Sequence, residues 1–225
     1  MPAAFPAALL LSATLCAVLY LLRSTQAETL PRSVLKTAAV ALLALFVLLA
    51  HGPWAVALAL GICALGDWFL SRPGDQPFLI GIGAFATGHL AYVALILSQD
   101  QSHPAQLIAL PHLWGLIGLA ALGAVMALAL APRAGDLKPA VLIYIPIILA
   151  MGVAALTLPP GHMARPAALL FIASDTILAV EKFMLPATMP QDHPTRRLSA
   201  YAIWVTYWLA QLGFAWAFLP MALAG

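Results

Sequence analysis

Charge is the scarcest commodity in this sequence. Only 8% of its 225 residues are Asp, Glu, Lys or Arg, against roughly 25% in soluble globular proteins. With 10 basic and 8 acidic residues, there is no material for a polyanion-binding surface, so nucleic acid is excluded as a partner. Cysteine is almost absent: Cys16 and Cys63 both sit in apolar runs and read as small buried hydrophobes, which excludes a disulfide framework and a zinc cluster. Also missing are a G-x-S-x-G elbow, an H-E-x-x-H or H-x-x-x-H pair, a P-loop and a Gly-rich dinucleotide turn. Serine-type acyl transfer and nucleotide chemistry lose their support, and nothing calls for a cofactor.

What is present is apolar residue, at 64% of the chain. A membrane-crossing helix needs about 20 mostly apolar residues, because the hydrocarbon core is roughly 30 Å thick and each residue rises about 1.5 Å. Eight stretches qualify: Ala3 to Leu22, Val34 to Ala50, Trp54 to Leu70, Phe78 to Leu97, Leu113 to Ala131, Ala140 to Leu158, Ala167 to Leu185 and Ala200 to Leu219. Turn residues such as Gly52-Pro53, Pro73-Gly74, Pro132, Pro159-Pro160-Gly161 and Pro186 fall between them, whereas Pro146 lies within the sixth and predicts a kink there. The expected fold is all-α, a polytopic membrane bundle of eight transmembrane helices forming a single domain over residues 1–225. The first stretch lacks a preceding basic residue and is too long for a signal h-region, so it reads as a span.

Basic residues set the orientation, since short cytoplasmic loops retain Lys and Arg. With the N-terminus outside, Arg23, Arg32, Lys36, Arg72, Arg133, Lys138, Lys182, Arg196 and Arg197 all fall inside, leaving only Arg165 outside. Both termini are therefore expected to be extracytoplasmic.

Ionisable groups within spans are expensive, about 2.5–3.5 kcal/mol each even on the lenient insertion scale, and mark function by default. Asp67, Asp175, Glu181 and Lys182 are the candidates. Measured from the cytoplasmic boundary, polar groups from five helices fall in one half of the bilayer, from Asp67 near ~6 Å through Tyr144, Tyr207, Asp175 and His89 to Gln211 near ~18 Å. This points to a cavity open to the cytoplasmic leaflet. Lys182 lies about 20° from Asp175 around its helix and caps the same cavity, while Glu181 points about 120° away and is expected to reach the interface. Phe85, His89 and Tyr92 share a stripe, with Gly81, Ala84 and Gly88 forming a small-residue contact face. Trp204, Tyr207 and Gln211 share one side of the last span. Trp54, Trp114, Trp204 and Trp216 read as interfacial anchors. Lys36, Arg72 and Arg196 are topology signals that can also hold a lipid phosphate.

The runs LGDWFLSRPGDQPFLIGIGAFATGHLAY, ASDTILAVEKF and YWLAQ resemble the YhhN-like membrane proteins, whose characterised members are lysoplasmalogenases. Gly66-Asp67, Phe78, Gly81, Phe85, His89, Tyr92, Ser174-Asp175, Ala179, Phe183, Tyr207 and Gln211 fill the family's pattern in order, together with Tyr144 and Met151, across roughly Lys36 to Gln211. The resemblance implies hydrolysis of the sn-1 vinyl ether of a lysophospholipid in a bacterial inner membrane. It casts Asp67 and Asp175 as the catalytic acids; depth makes Asp175 the expected proton donor and Asp67, nearer water, the ionised partner, with the exchanged roles as the alternative. His89, Tyr92, Tyr144, Lys182, Tyr207, Gln211, Lys36 and Arg72 would surround the substrate. Three alternatives stand beside it: a metal-dependent hydrolase with Asp67, His89 and Asp175 as ligands, a proton-coupled transporter, and a lipid-binding sensor.

Overall fold

The computed structural model describes residues 4–186, 188–190 and 192–219. Every expected span is a helix: α1 (Ala4–Leu21), α2 (Leu30–Leu49), α3 (Trp54–Leu70), α4 (Asp75–Leu97), α5 (His112–Leu130), α6 (Lys138–Leu156), α7 (Ala164–Met184) and α8 (Pro194–Ala217). Two short 3-10 turns, Pro104–Ile108 and Gly135–Leu137, precede α5 and α6. Ala3, where the first span was expected to begin, lies outside the described residues. The helix starts depart most from expectation, because polar caps extend them beyond the apolar run. α8 begins six residues before Ala200, with His193 Nδ1 accepting from Thr195 N (3.2 Å) and Pro194 in the first turn. α2 begins four residues before Val34, capped by Thr29, which accepts from Arg32 N. α4 follows Gly74, whose φ of 102° is a conformation that favours glycine. α6 runs through Pro146 without a break.

Four helices, α2, α4, α5 and α6, are long and apolar enough to cross a membrane, and α1 and α3 are apolar but shorter. α7 and α8 carry more charge: Arg165, Asp175, Glu181 and Lys182 on one, Arg196 and Arg197 on the other. Large apolar side chains face outward, among them Leu11, Leu15, Trp54, Val125 and Leu128. In water, outward apolar patches this numerous are a liability, whereas against lipid tails they are the expected surface.

The helices α1 to α4 pack in sequence order. α4 then bypasses α5 to pack on α6, α6 leads to α7 and α7 to α8, and α8 returns to α1, α2 and α3. α5 lies outermost, against α6. The α3–α4 seam is close because glycines line it: a Cβ on Gly88 would come within 2.7 Å of Cys63 Sγ, and one on Gly66 within 2.7 Å of the Phe85 ring. This closeness aligns Asp67 of α3 with the Phe85 and His89 face of α4.

Trp204 corrects an expectation. It is 3% exposed, and its Nε1 donates to Ala17 O (2.9 Å) while its ring lies 4.3 Å from Tyr20. It therefore ties α8 to α1 instead of anchoring at an interface, whereas Trp54, Trp114 and Trp216 are exposed. Replacing Trp204 with Phe keeps an aromatic ring there but removes the donor to Ala17 O. A loss of about 0.5–1.5 kcal/mol is expected, read as a lower thermal midpoint in detergent.

Candidate active site

One end of the bundle holds a polar cavity of about 690 Å³ bordered by α1, α2, α3, α4, α7 and α8. Its lining gathers most of the basic residues assigned to the inside, among them Arg32, Lys36, Arg72, Lys182 and Arg196, together with both expected acids, Asp67 and Asp175. Distant stretches of chain thus bring the two carboxyl groups to the wall of one space.

Each carboxyl has its own set of partners. Asp67, 1% exposed, stands between three helices: Lys36 Nζ of α2 lies 3.1 Å from Oδ1, and the Tyr207 hydroxyl of α8 donates to Oδ2 at 2.6 Å. Ser71 fixes the end of α3 by donating to the Asp67 carbonyl (2.7 Å). Asp175 of α7 receives the Tyr144 hydroxyl of α6 at Oδ2, and His89 Nε2 of α4 lies 3.3 Å from the same oxygen and 2.8 Å from the Tyr144 oxygen. With its proton on Nε2, His89 donates into this pair; its Nδ1 is buried without a partner. Phe171 packs edge-on to His89 (4.5 Å), Tyr207 (5.3 Å) and Phe85 (6.1 Å), so aromatic rings stand between the two acid clusters. Such a packed shell locks the rotamers of the groups that orient the carboxyls.

The burial order of the acids is the reverse of the expected one, since Asp175 retains 14% exposure against 1% for Asp67. Depth along a helix measures distance from the membrane surface but not enclosure by neighbouring helices. Asp67 is shallow along its axis yet enclosed by α2 and α8, while Asp175 borders open space.

Lys36, Arg72, Lys182 and Tyr207 line the polar cavity as expected of substrate-facing groups, and Tyr144 lines an adjoining apolar one. Tyr92 and Gln211 do not reach either. The Tyr92 hydroxyl donates to Gln211 Oε1 (2.8 Å), its ring stacks on Phe214 (4.0 Å), and both residues are fully buried. They lie a turn further into the bundle than His89 and Tyr207 and act as a side-chain clasp between α4 and α8. His89, also fully buried, acts on the cavity only through Asp175 and Tyr144.

Three charged groups also differ from expectation. Lys36 is engaged by Asp67 and is not a free phosphate holder. Arg196 donates to the carbonyls of Met189 (3.1 Å) and Pro186 (3.0 Å), so it holds the loop before α8. Glu181 borders the cavity and lies 3.8 Å from Arg196 Nη1, because the returning loop and α8 wrap the end of α7 and expose two of its faces to the same mouth. Lys182 pairs with Asp75 (3.5 Å) over the Phe78 ring. Arg72 stacks on Trp68 (4.0 Å) with no ion pair among the described residues. The Lys36–Asp67 pair was missed in the sequence: a lysine two residues into a span calls for an acid, but the sequence does not say which helix supplies it.

Among the described residues, no three His, Cys, Asp or Glu side chains come together as a metal ion requires, so the ligand set of Asp67, His89 and Asp175 is not assembled. The two acid clusters face different partners across the aromatic wall.

An all-helical bundle with large apolar side chains facing outward and an acid-lined polar cavity at its basic end is the architecture of a membrane-compatible helical protein. The chain matches the YhhN family over residues 31–218, from the first turn of α2 to just past α8, and belongs to that family. Comparison with curated proteins and with solved structures found no match. Apolar helices and family together fit a multi-pass membrane protein.

Proposed function

We propose that this protein is a lysoplasmalogenase, hydrolysing the sn-1 vinyl ether of a lysophospholipid to a fatty aldehyde and a glycerophosphodiester. The observation that carries the reading is the presence of Asp67 and Asp175 on the wall of one cavity, each oriented by a tyrosine. Family membership supports it. In this reading all eight helices cross the membrane, both termini are extracytoplasmic, and the cavity opens to the cytoplasmic leaflet of a bacterial inner membrane. The clustering of Arg32, Lys36, Arg72, Lys182 and Arg196 at the cavity favours that orientation.

A vinyl ether breaks by protonation at its β-carbon, which leaves an oxocarbenium ion. Water adds to that cation with loss of a proton, and the resulting hemiacetal collapses to aldehyde and alcohol. The reaction needs a proton donor and an anion but no nucleophilic side chain, the same demand two carboxyls meet in glycoside hydrolysis. Asp67 has both oxygens taken, one by an ammonium and one by a phenol, and serves as the fixed anion that stabilises the cation and orients water. Asp175 has Oδ2 taken by Tyr144 and His89, while no hydrogen bond from the described residues reaches Oδ1, which leaves that oxygen to deliver the proton. These are the roles the sequence suggested; the hydrogen-bond partners support them, whereas the burial order on which they first rested runs the other way.

Arg72, stacked on Trp68 and free of an ion pair among the described residues, is assigned to the substrate phosphate. Arg72→Ala is expected to raise KM about tenfold or more with kcat nearly unchanged, the value of one charge-assisted contact made equally before and during reaction. Equal loss in kcat would remove this assignment.

The deciding experiment incubates purified protein with alkenyl, alkyl and acyl lysolipids of one headgroup and assays aldehyde. Selective consumption of the alkenyl species is the expected result. Consumption of the acyl species, or of none, would overturn the reading.

A further inference from the structure

Asp175 borders a second cavity besides the polar one. This narrow space of about 70 Å³ lies between α4, α5, α6 and α7, and Tyr144, Asp175 and Thr176 are the polar side chains in an otherwise apolar lining. The two cavities share Leu70, Phe78, Phe85, Leu178 and Asp175, so they meet at the carboxyl proposed to donate the proton. On one side of that carboxyl the wall is basic and hydroxylic, and on the other it is oily. An amphiphile with its reacting bond at Asp175 has a place on either side, one for a phosphate and one for a hydrocarbon.

The narrow cavity has a direction. On α6 its lining begins at Val141, near the basic end, and finishes at Leu149, five residues beyond Tyr144, about 7.5 Å further into the bundle. On the antiparallel α5 it finishes at Leu122 and Gly123, and on α7 at Ile172. These residues form its floor. Gly123 matters there, because a Cβ at that position would come within 2.5 Å of Leu149 Cδ1, so the leucine at the floor is seated against the glycine.

Resting on the lysoplasmalogenase reading, we propose that the apolar cavity between α4, α5, α6 and α7 holds the substrate's hydrocarbon tail next to the vinyl ether, and that the Gly123–Leu149 contact selects tail length. Gly123→Ala pushes Leu149 off its seat and into the cavity, shortening it. Leu149→Ala removes the obstacle and deepens it. The two changes therefore act in opposite directions, which a general loss of packing does not.

The test measures binding of sn-1 alkyl ether lysolipids of graded tail length, which have no vinyl ether to hydrolyse, to the purified full chain and to both variants, with turnover of the alkenyl series in parallel. Gly123→Ala is expected to weaken binding of long tails relative to short ones by about fourfold per excluded methylene, and Leu149→Ala to shift preference toward longer tails. An unchanged tail-length ranking in either folded variant, or a shift of both in one direction, overturns the assignment of the tail. Because the alkyl series reports binding without chemistry, opposite shifts with no aldehyde from the parent protein would keep the tail cavity and discard the hydrolase. Aldehyde release with unchanged rankings would do the reverse.

Discussion

Lys36→Met is expected to destabilise the protein by about 3–5 kcal/mol, the cost of leaving one member of a buried ion pair without its counter-charge. The reason lies at Asp67, which is 1% exposed and whose Oδ1 has the Lys36 ammonium as its neighbour at 3.1 Å. Tyr207 serves the other oxygen and has no second hydrogen to give. Removing the ammonium leaves the anion between α2, α3 and α8 with the Tyr207 hydroxyl as its remaining protein partner among the described residues. The double variant Lys36→Met with Asp67→Asn removes both charges and should recover most of that loss, since an amide is far cheaper to bury than a carboxylate. Thermal or denaturant unfolding in detergent of the parent, both single variants and the double variant measures the coupling directly. Additive effects of the two changes would mean that the ion pair contributes nothing to the fold.

The second large effect is on turnover. Asp175→Asn retains an acceptor for the Tyr144 hydroxyl and leaves the volume of the site unchanged, so the bundle should fold as before. It has no acidic proton to deliver, and aldehyde release is expected to fall by about 10²–10⁴-fold, the usual contribution of a positioned general acid. Asp67→Asn should lower kcat by a comparable factor through loss of the anion facing the oxocarbenium ion, with the Tyr207 contact retained. The pair also discriminates the roles. A donor variant loses rate for every vinyl ether, whereas a variant lacking only the anion loses most where the cation is least stabilised by its own substituents. Activity near the parent level in both folded variants would show that neither carboxyl takes part.

How much of this was legible follows from what a helical sequence encodes. The apolar runs located all eight helices because the need to satisfy backbone hydrogen bonds in a nonpolar medium leaves few alternatives. Their starts were read short at α2 and α8, since Thr29 and His193 cap from outside the hydrophobic stretch. The depths of Asp67, Tyr144, Tyr207, Asp175, His89 and Gln211 predicted one shared cavity; Asp67, Asp175 and Tyr207 line it, whereas Tyr144, His89 and Gln211 do not. The partners were not legible. Tyr92 and Gln211 lie on the same faces as His89 and Tyr207, and periodicity treats each pair alike, yet one turn separates a clasp from a site.

The sequence alone determined that the chain is helical throughout, where each helix lies, and that its rare polar groups collect toward one end. Length, hydropathy and rise per residue carry that information along a single axis. Only the tertiary structure decided that Lys36 belongs to Asp67, that Tyr144 and His89 belong to Asp175, that Asp67 is the more enclosed of the two acids, and that Trp204 braces α1. These depend on which helices become neighbours and on how each is rotated toward the next. That rotation is set by the glycine seams and aromatic packing of the whole bundle, which no single helix contains.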